Sequence, residues 1–224
     1  MTVFALDSID LAALLCSRIC HDIISPVGAI INGLEVLEEE KDAEMRSFAL
    51  DLIKKSAEQA SARLQFCRLA FGAAGSAGAS IDTSDAEMVA RGLFNRERTE
   101  LRWNAPSLIM PKNKVKLILN LCLIATSAMP RGGVIEVIVT GADDEVRIRV
   151  SAKGPNPKLA NHVPLLLAGT LDYAPSTPQD IQAYYTGLVA RAASMILTVA
   201  AHSENLTIEA ESPRAEVTVE PAAI

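Results

Sequence analysis

Arg18-Ile19-Cys20-His21-Asp22-Ile23-Ile24-Ser25-Pro26-Val27 is the stretch on which the reading of this chain turns. Around it, Cys16, Cys20, Ile23, Val27, Ile30, Leu34 and Leu37 recur at spacings of 4, 3, 4, 3, 4 and 3. That alternation draws one apolar stripe along a long helix. At about 100° per residue, His21 falls on the opposite side, together with Ser17, Arg18, Ser25 and Asn32. Asp22 follows it in sequence. A neutral imidazole is a nucleophile whose ring nitrogen can carry a phosphoryl group. Alone, an outward histidine on a polar face is an ordinary surface residue, so the rest of the chain has to decide.

The chain has 224 residues, half of them apolar, enough for one large domain or two modest ones. Its net charge of −6, with no basic cluster, argues against a nucleic-acid or anionic-membrane surface. No run approaches the apolar length of a membrane span and no signal-peptide pattern opens the chain. The four cysteines, Cys16, Cys20, Cys67 and Cys122, sit in apolar helical patterns, as expected of reduced core thiols in a cytoplasmic protein. Cys16, Cys20 and His21 do not form a metal site on this reading, because the two thiols lie on the stripe and the imidazole points away.

The first helix is expected over residues 11–37, capped by Ser8 or Asp10. Pro26, inside it, removes the hydrogen bond to the Asp22 carbonyl and loosens the helix one turn after His21. After the charged turn 38–42, a second helix over residues 43–71 carries the inner stripe Ala49, Ile53, Ala57, Ala60, Leu64, Cys67 and Phe71. Two long helices joined by a short turn make an antiparallel hairpin. Each has apolar surface left over, which a second copy would cover as a dimeric four-helix bundle.

Residues 72–80, small throughout, read as a linker. The assignment is a helical hairpin over 1–72, a linker over 73–81 and a second domain over 82–224. In the second domain, helices are expected over 85–94, 112–129, 159–168 and 181–195. Strands are expected over 100–104, 134–140, 145–151, 196–201 and 206–210, with Arg131-Gly132-Gly133 and residues 141–144 as turns. Helices beside a mostly antiparallel sheet make an α/β sandwich, so the fold class is α plus α/β.

His21-Asp22-Ile23-Ile24-Ser25-Pro26-Val27 resembles the phosphoacceptor box of sensor histidine kinases. Leu119-Asn120-Leu121-Cys122-Leu123-Ile124-Ala125, followed by Pro130-Arg131-Gly132-Gly133-Val134-Ile135, resembles the helix, turn and strand around the kinase asparagine box. Over nearly the whole length, and most strongly over residues 10–80, the chain is similar to the histidine phosphotransferases of alphaproteobacterial cell-cycle phosphorelays. The resemblance implies that His21 carries the phosphoryl group on Nε2 and that Asp22 orients the ring or takes its proton. Arg18 and Ser25 are weaker supporting candidates. It also implies that the second domain is a degenerate histidine-kinase ATPase domain.

The departures from the kinase pattern point the same way. Ile124 stands where an asparagine would hold Mg²⁺, and it has no oxygen to offer. Ser127 replaces the following lysine. Ala152 stands where an aspartate would anchor adenine, and Asn156 replaces the next glycine. The last glycine-rich loop corresponds to Asp180-Ile181-Gln182-Ala183, which has no glycine. The chain is therefore expected to need no cofactor of its own, with Mg²⁺ supplied by the partner receiver domain. The implied partners are a second copy of the chain (a homodimer), the receiver domain of a hybrid histidine kinase, and response regulators of the CtrA type and of the single-domain type. Two alternatives stay open on sequence grounds. One is a non-catalytic scaffold that binds receivers; the other is an ATP-dependent histidine kinase.

Overall fold

The computed structural model describes residues 5–72, 79–95, 98–141, 145–170, 174–175 and 177–213. Helix α1 (Ser8–Glu39) is capped by Asp7, whose Oδ1 accepts from the amides of Ile9 at 2.7 Å and Asp10 at 3.0 Å. The cap therefore lies before both candidates read from sequence. α2 (Ala43–Ala70) starts from an equivalent cap, Asp42. In the tight turn between them the Arg46 guanidinium turns back onto the carbonyls of Leu37 and Glu40, filling acceptors that the end of α1 leaves open.

The hairpin seam follows the predicted stripes only in part. On α1 Pro26 and Gly33 are buried, and Ile19, Ile23, Ile30 and Leu37 are half-buried. Cys16, Cys20, Val27 and Leu34, read as part of the inner stripe, are exposed. The reason is that α1 has two apolar faces, and the 4-3 pattern runs between them. On α2, Ala49 and Ala60 are buried as expected, but Ala57 and Leu64 are exposed and Ser56 and Phe66 are buried instead. The C-terminal half of α2 turns to meet the second domain, where Phe66 stacks edge-on against Phe94 at 5.3 Å. Of the four cysteines only Cys122 is a buried core thiol, so the sequence reading of all four as core residues is corrected.

The outer face also bears on membrane crossing. An 18-residue window of α1 reaches a mean hydropathy of 1.5, long and apolar enough to span a bilayer by length and composition. The sequence reading had found no such run. The same helix buries one face on α2 and carries Arg18, His21 and Asp22.

After α2 the chain forms β1 (Ser80–Asp82), α3 (Thr83–Phe94), β2 (Thr99–Asn104), β3 (Ile109–Pro111), α4 (Lys112–Ser127), β4 (Gly133–Thr140), β5 (Arg147–Lys153), α5 (Val163–Ala168), α6 (Pro178–Ala192), β6 (Ile196–His202) and β7 (Asn205–Glu211). β1 and β3, not foreseen from sequence, form a small antiparallel pair. Three residues each are too few to show a period. Six residues of the linker, 73–78, lie outside the described residues. The main sheet has the order β2-β4-β5-β7-β6, with one parallel pair, β2–β4, and three antiparallel ones. Its inner positions, among them Leu101, Trp103, Ile135, Val137, Ile148, Val150 and Ile208, are buried at alternate residues, and in β5 Ser151 is buried as well. Its other face carries cross-strand ion pairs, Arg149–Glu209 at 2.5 Å and Lys153–Glu136 at 2.6 Å among them. At the turn into β4, Gly132 has a φ of 84°, and a Cβ there would lie 2.0 Å from the Arg98 carbonyl oxygen.

Three ties hold the hairpin to the second domain. Asn120, buried in α4, donates to the Ala70 carbonyl at the end of α2 (3.1 Å) and accepts from Gln182 of α6 (2.7 Å). The Leu6 amide donates to the Tyr184 hydroxyl at 3.1 Å. Arg18 of α1 donates to the Pro178 carbonyl at 2.6 Å.

Gly33 and Gly28 separate close packing from open surface on α1. A Cβ on Gly33 would lie 2.7 Å from Ile53 Cγ1 and 3.3 Å from the Ala49 carbonyl oxygen, whereas one on Gly28 would meet nothing within 4 Å. Gly33→Val is expected to lower the unfolding free energy by about 1–3 kcal/mol through overpacking. Gly28→Ala is expected to leave it unchanged or raise it by up to about 1 kcal/mol. Urea denaturation of the two variants checks both; equal effects would mean the seam does not close at Gly33.

Candidate functional site

His21 lies in the middle of α1 with its side chain 80% exposed. Its Nδ1 is 3.6 Å from Asp22 Oδ1, which leaves Nε2 as the nitrogen not turned to the carboxylate. Asp22 is half-buried, with 37% of its side chain exposed, at the edge of the hairpin seam. Ser25 is exposed one turn further on. Of the four residues singled out from sequence, His21 and Asp22 stand together as expected, and Ser25 shares their side of the helix by its spacing.

Arg18 does not belong to that solvent-facing group. Its side chain is only 14% exposed, and it is tucked under the first turn of α6, where Nη1 donates to Pro178 O. Nη2 stands 4.0 Å from Asp22 Oδ2, and Nε is buried without a hydrogen-bond partner among the described residues. Burial pushes the Arg18 pKa below that of a free guanidinium, while the Asp22 carboxylate and, less strongly, Cys67 push back. Helical periodicity placed Arg18 on the polar side, but it could not show that another domain would cover that sector.

Sequence reasoning missed two further residues, both on α2. Arg63 donates from Nη1 to the Asp22 carbonyl oxygen at 2.7 Å across the seam. The signal was present in part. Pro26 was recognised as freeing that carbonyl, so a donor on the facing helix was the thing to look for. Cys67 is the second. Its thiol is pushed up to about 11, first by burial and then by the Asp22 carboxylate, with Arg18 and Arg63 acting the other way. A thiol held there stays protonated at neutral pH and does not compete with the imidazole as a nucleophile.

The second domain was read as having lost nucleotide binding, and the positions concerned can now be placed. Ile124 and Ala152 are both sealed in the hydrophobic core. Ser127 turns its hydroxyl onto the Ile124 carbonyl at 2.8 Å. Asp180-Ile181-Gln182-Ala183 lie in the first two turns of α6, whose start is closed on itself by a capping box. Thr177 Oγ1 accepts from the Asp180 amide and Asp180 Oδ2 accepts from the Thr177 amide, each at 3.1 Å. His162 Nε2 adds a contact to Asp180 Oδ1 at 2.6 Å. Two of the amides that a helix start could turn toward a phosphate are thus already bonded, and a carboxylate stands beside them. Among the described residues, no group of three or more His, Cys, Asp or Glu side chains is placed to hold a metal ion.

Comparison with known proteins shows the family. Residues 83–218 match the family model described as histidine phosphotransferase C-terminal domain. A relative from Brucella abortus (strain 2308), named protein phosphotransferase ChpT, is 48% identical over 206 residues, which is 92% of this chain and 97% of that protein. A solved bacterial phosphotransferase structure superposes with a TM-score of 0.85 at 45% identity, covering 94% of this chain and all of the other. The histidine kinase AdeS of Acinetobacter baumannii overlaps more loosely, with a TM-score of 0.44 at 8% identity, covering 85% and 95% of the two chains. With a family match across most of its second domain and a near-full-length relative at this identity, the chain belongs to the histidine phosphotransferase family and is a protein phosphotransferase.

Proposed function

We propose that His21 is the carrier in a multistep phosphorelay. It takes a phosphoryl group from the phospho-aspartate of a hybrid-kinase receiver and passes it to the aspartate of response-regulator receivers, of the CtrA type and of the single-domain type. The observation that carries this reading is the exposed imidazole, with Asp22 at Nδ1, on a helix braced by α2 and α6. In the first transfer the Nε2 lone pair attacks phosphorus, an N–P bond forms, the P–O bond to the aspartyl carboxylate breaks, and that carboxylate leaves. The second transfer reverses these steps on another receiver. The proton stays on Nδ1, where the Asp22 carboxylate faces it and favours the tautomer that frees Nε2. The work is positioning and charge neutralisation, with Mg²⁺ in the receiver and none here.

The second domain, over 82–224, is on this reading an ATPase-like domain that no longer binds nucleotide. The core positions of Ile124 and Ala152 and the capping box at Thr177 and Asp180 support that. The hairpin, over 1–72, pairs with a second copy of itself. Support comes from the outer stripe of α1, where Ile24 is 69% exposed and Ile31 51%, in line with Cys20, Val27 and Leu34. A four-helix bundle made from two hairpins would cover it. The protein works in the cytoplasm, where both receivers are found.

Two measurements test this. Incubated with a labelled phospho-receiver, the protein is expected to acquire acid-labile label and hand it to a second receiver. His21→Ala is expected to acquire none, and labelled ATP alone to label neither. Label from ATP would make the protein a kinase, and receiver binding without label in the unaltered protein would make it a scaffold. In sedimentation velocity the unaltered chain is expected to run as two copies and Ile24→Glu/Ile31→Glu as one. A single-copy mass for the unaltered chain would overturn the bundle.

A further inference from the structure

Pro26 has no amide hydrogen, so the carbonyl of Asp22, which an ordinary helix would bond to residue 26, has no partner within α1. That carbonyl lies at the hairpin seam, one peptide beyond His21. The Arg63 guanidinium, 41 residues further along the chain, occupies it at 2.7 Å. A charged donor at that distance makes one of the stronger kinds of hydrogen bond. Pro26 is itself buried in the seam, and α1 runs unbroken from Ser8 to Glu39 despite it.

From this we propose that Arg63 is the positioning residue of the phosphoacceptor turn, supplying from α2 the hydrogen bond that Pro26 withholds from the Asp22 carbonyl. The proposal rests on the reading of His21 as the carrier and deepens it. With that backbone bond missing, the turn between Asp22 and Pro26 is held within α1 by one hydrogen bond fewer than its neighbours. The Asp22 side chain faces Nδ1 of the neighbouring imidazole at 3.6 Å. A slack turn would let that alignment drift, and the ring with it. Arg63 replaces an intrahelical bond by one that reaches across the seam. The aim of His21 is thereby set by how α2 packs against α1, and not by α1 alone. Arg18 makes its hydrogen bond elsewhere, from Nη1 to the Pro178 carbonyl.

The test is a double-mutant cycle between Arg63 and Pro26, read as the initial rate of phosphoryl transfer from a labelled phospho-receiver. Arg63→Met in the otherwise unaltered protein is expected to slow transfer by roughly tenfold or more, as misplacement of a reacting group does. Pro26→Ala restores an amide that can bond to the Asp22 carbonyl inside the helix. In that background Arg63→Met is expected to cost less than about threefold, the difference being the coupling between the two sites. An equal loss in both backgrounds, or no loss in the unaltered one, overturns the proposal. If Arg63→Met does not fold, as circular dichroism would show, the same cycle is run with Arg63→Gln, whose shorter neutral amide weakens the bond without emptying the seam. His21→Ala, in either background, separates the two ideas: transfer surviving in it would overturn the reading of His21 and not the role of Arg63.

Discussion

One helix, α1, has to serve three surfaces at once, and the rest of the structure depends on how its circumference is divided. One sector, running through Ile19, Pro26 and Gly33, closes on α2. A second, through Arg18 and the leucines near its start, is covered by the second domain. A third, through Cys20, Ile24, Val27 and Ile31, is apolar and uncovered in the single chain. At about 100° per residue, only one sector is then left for a group that must stay in water, and His21 stands in it. Its exposure follows from the packing obligations of its neighbours as much as from its own polarity.

That division explains what could be read from the sequence and what could not. The hairpin, its turn, most of the helices and strands of the sandwich and the outward aim of His21 follow from periods of 3.6 and 2, which act over a few residues. The three-way division of α1 does not, because two apolar faces separated by less than half a turn merge into one stripe when written in a line. Cys16 and Cys20 were placed inside for that reason. Arg18 was placed outside for the converse one: its burial depends on α6, some 160 residues away, whose start supplies the carbonyl that it binds. Arg63 lay in plain sight on α2, but only antiparallel pairing in a particular register puts it level with Asp22.

The second domain illustrates a different kind of substitution. Ile124 and Ala152, which stand where the proposed reading has nucleotide ligands replaced, are packed in a continuous core with Val137, Val150 and Leu206. Buried carboxylates and amides that have lost a ligand would be costly, and apolar side chains at the same places are not. Three of the buried polar groups make ties. Asn120 and Gln182 join α2, α4 and α6, and Asp180 closes the start of α6 on itself.

Those ties have a consequence for how the histidine is reached. Asn120 grips the last turn of α2, Tyr184 holds the segment before α1, and Arg18 pins the middle of α1 to the start of α6. A domain fastened at three points along the hairpin is poorly placed to swing toward His21. That agrees with the proposed relay, in which the phosphoryl group comes from outside the chain onto a surface already assembled. In such a carrier little conformational change is left to make at the moment of transfer, so rate and selectivity fall to the fit between a fixed site and its partner. The buried guanidinium of Arg18 then belongs with the scaffold, set between the Pro178 carbonyl and the Asp22 carboxylate.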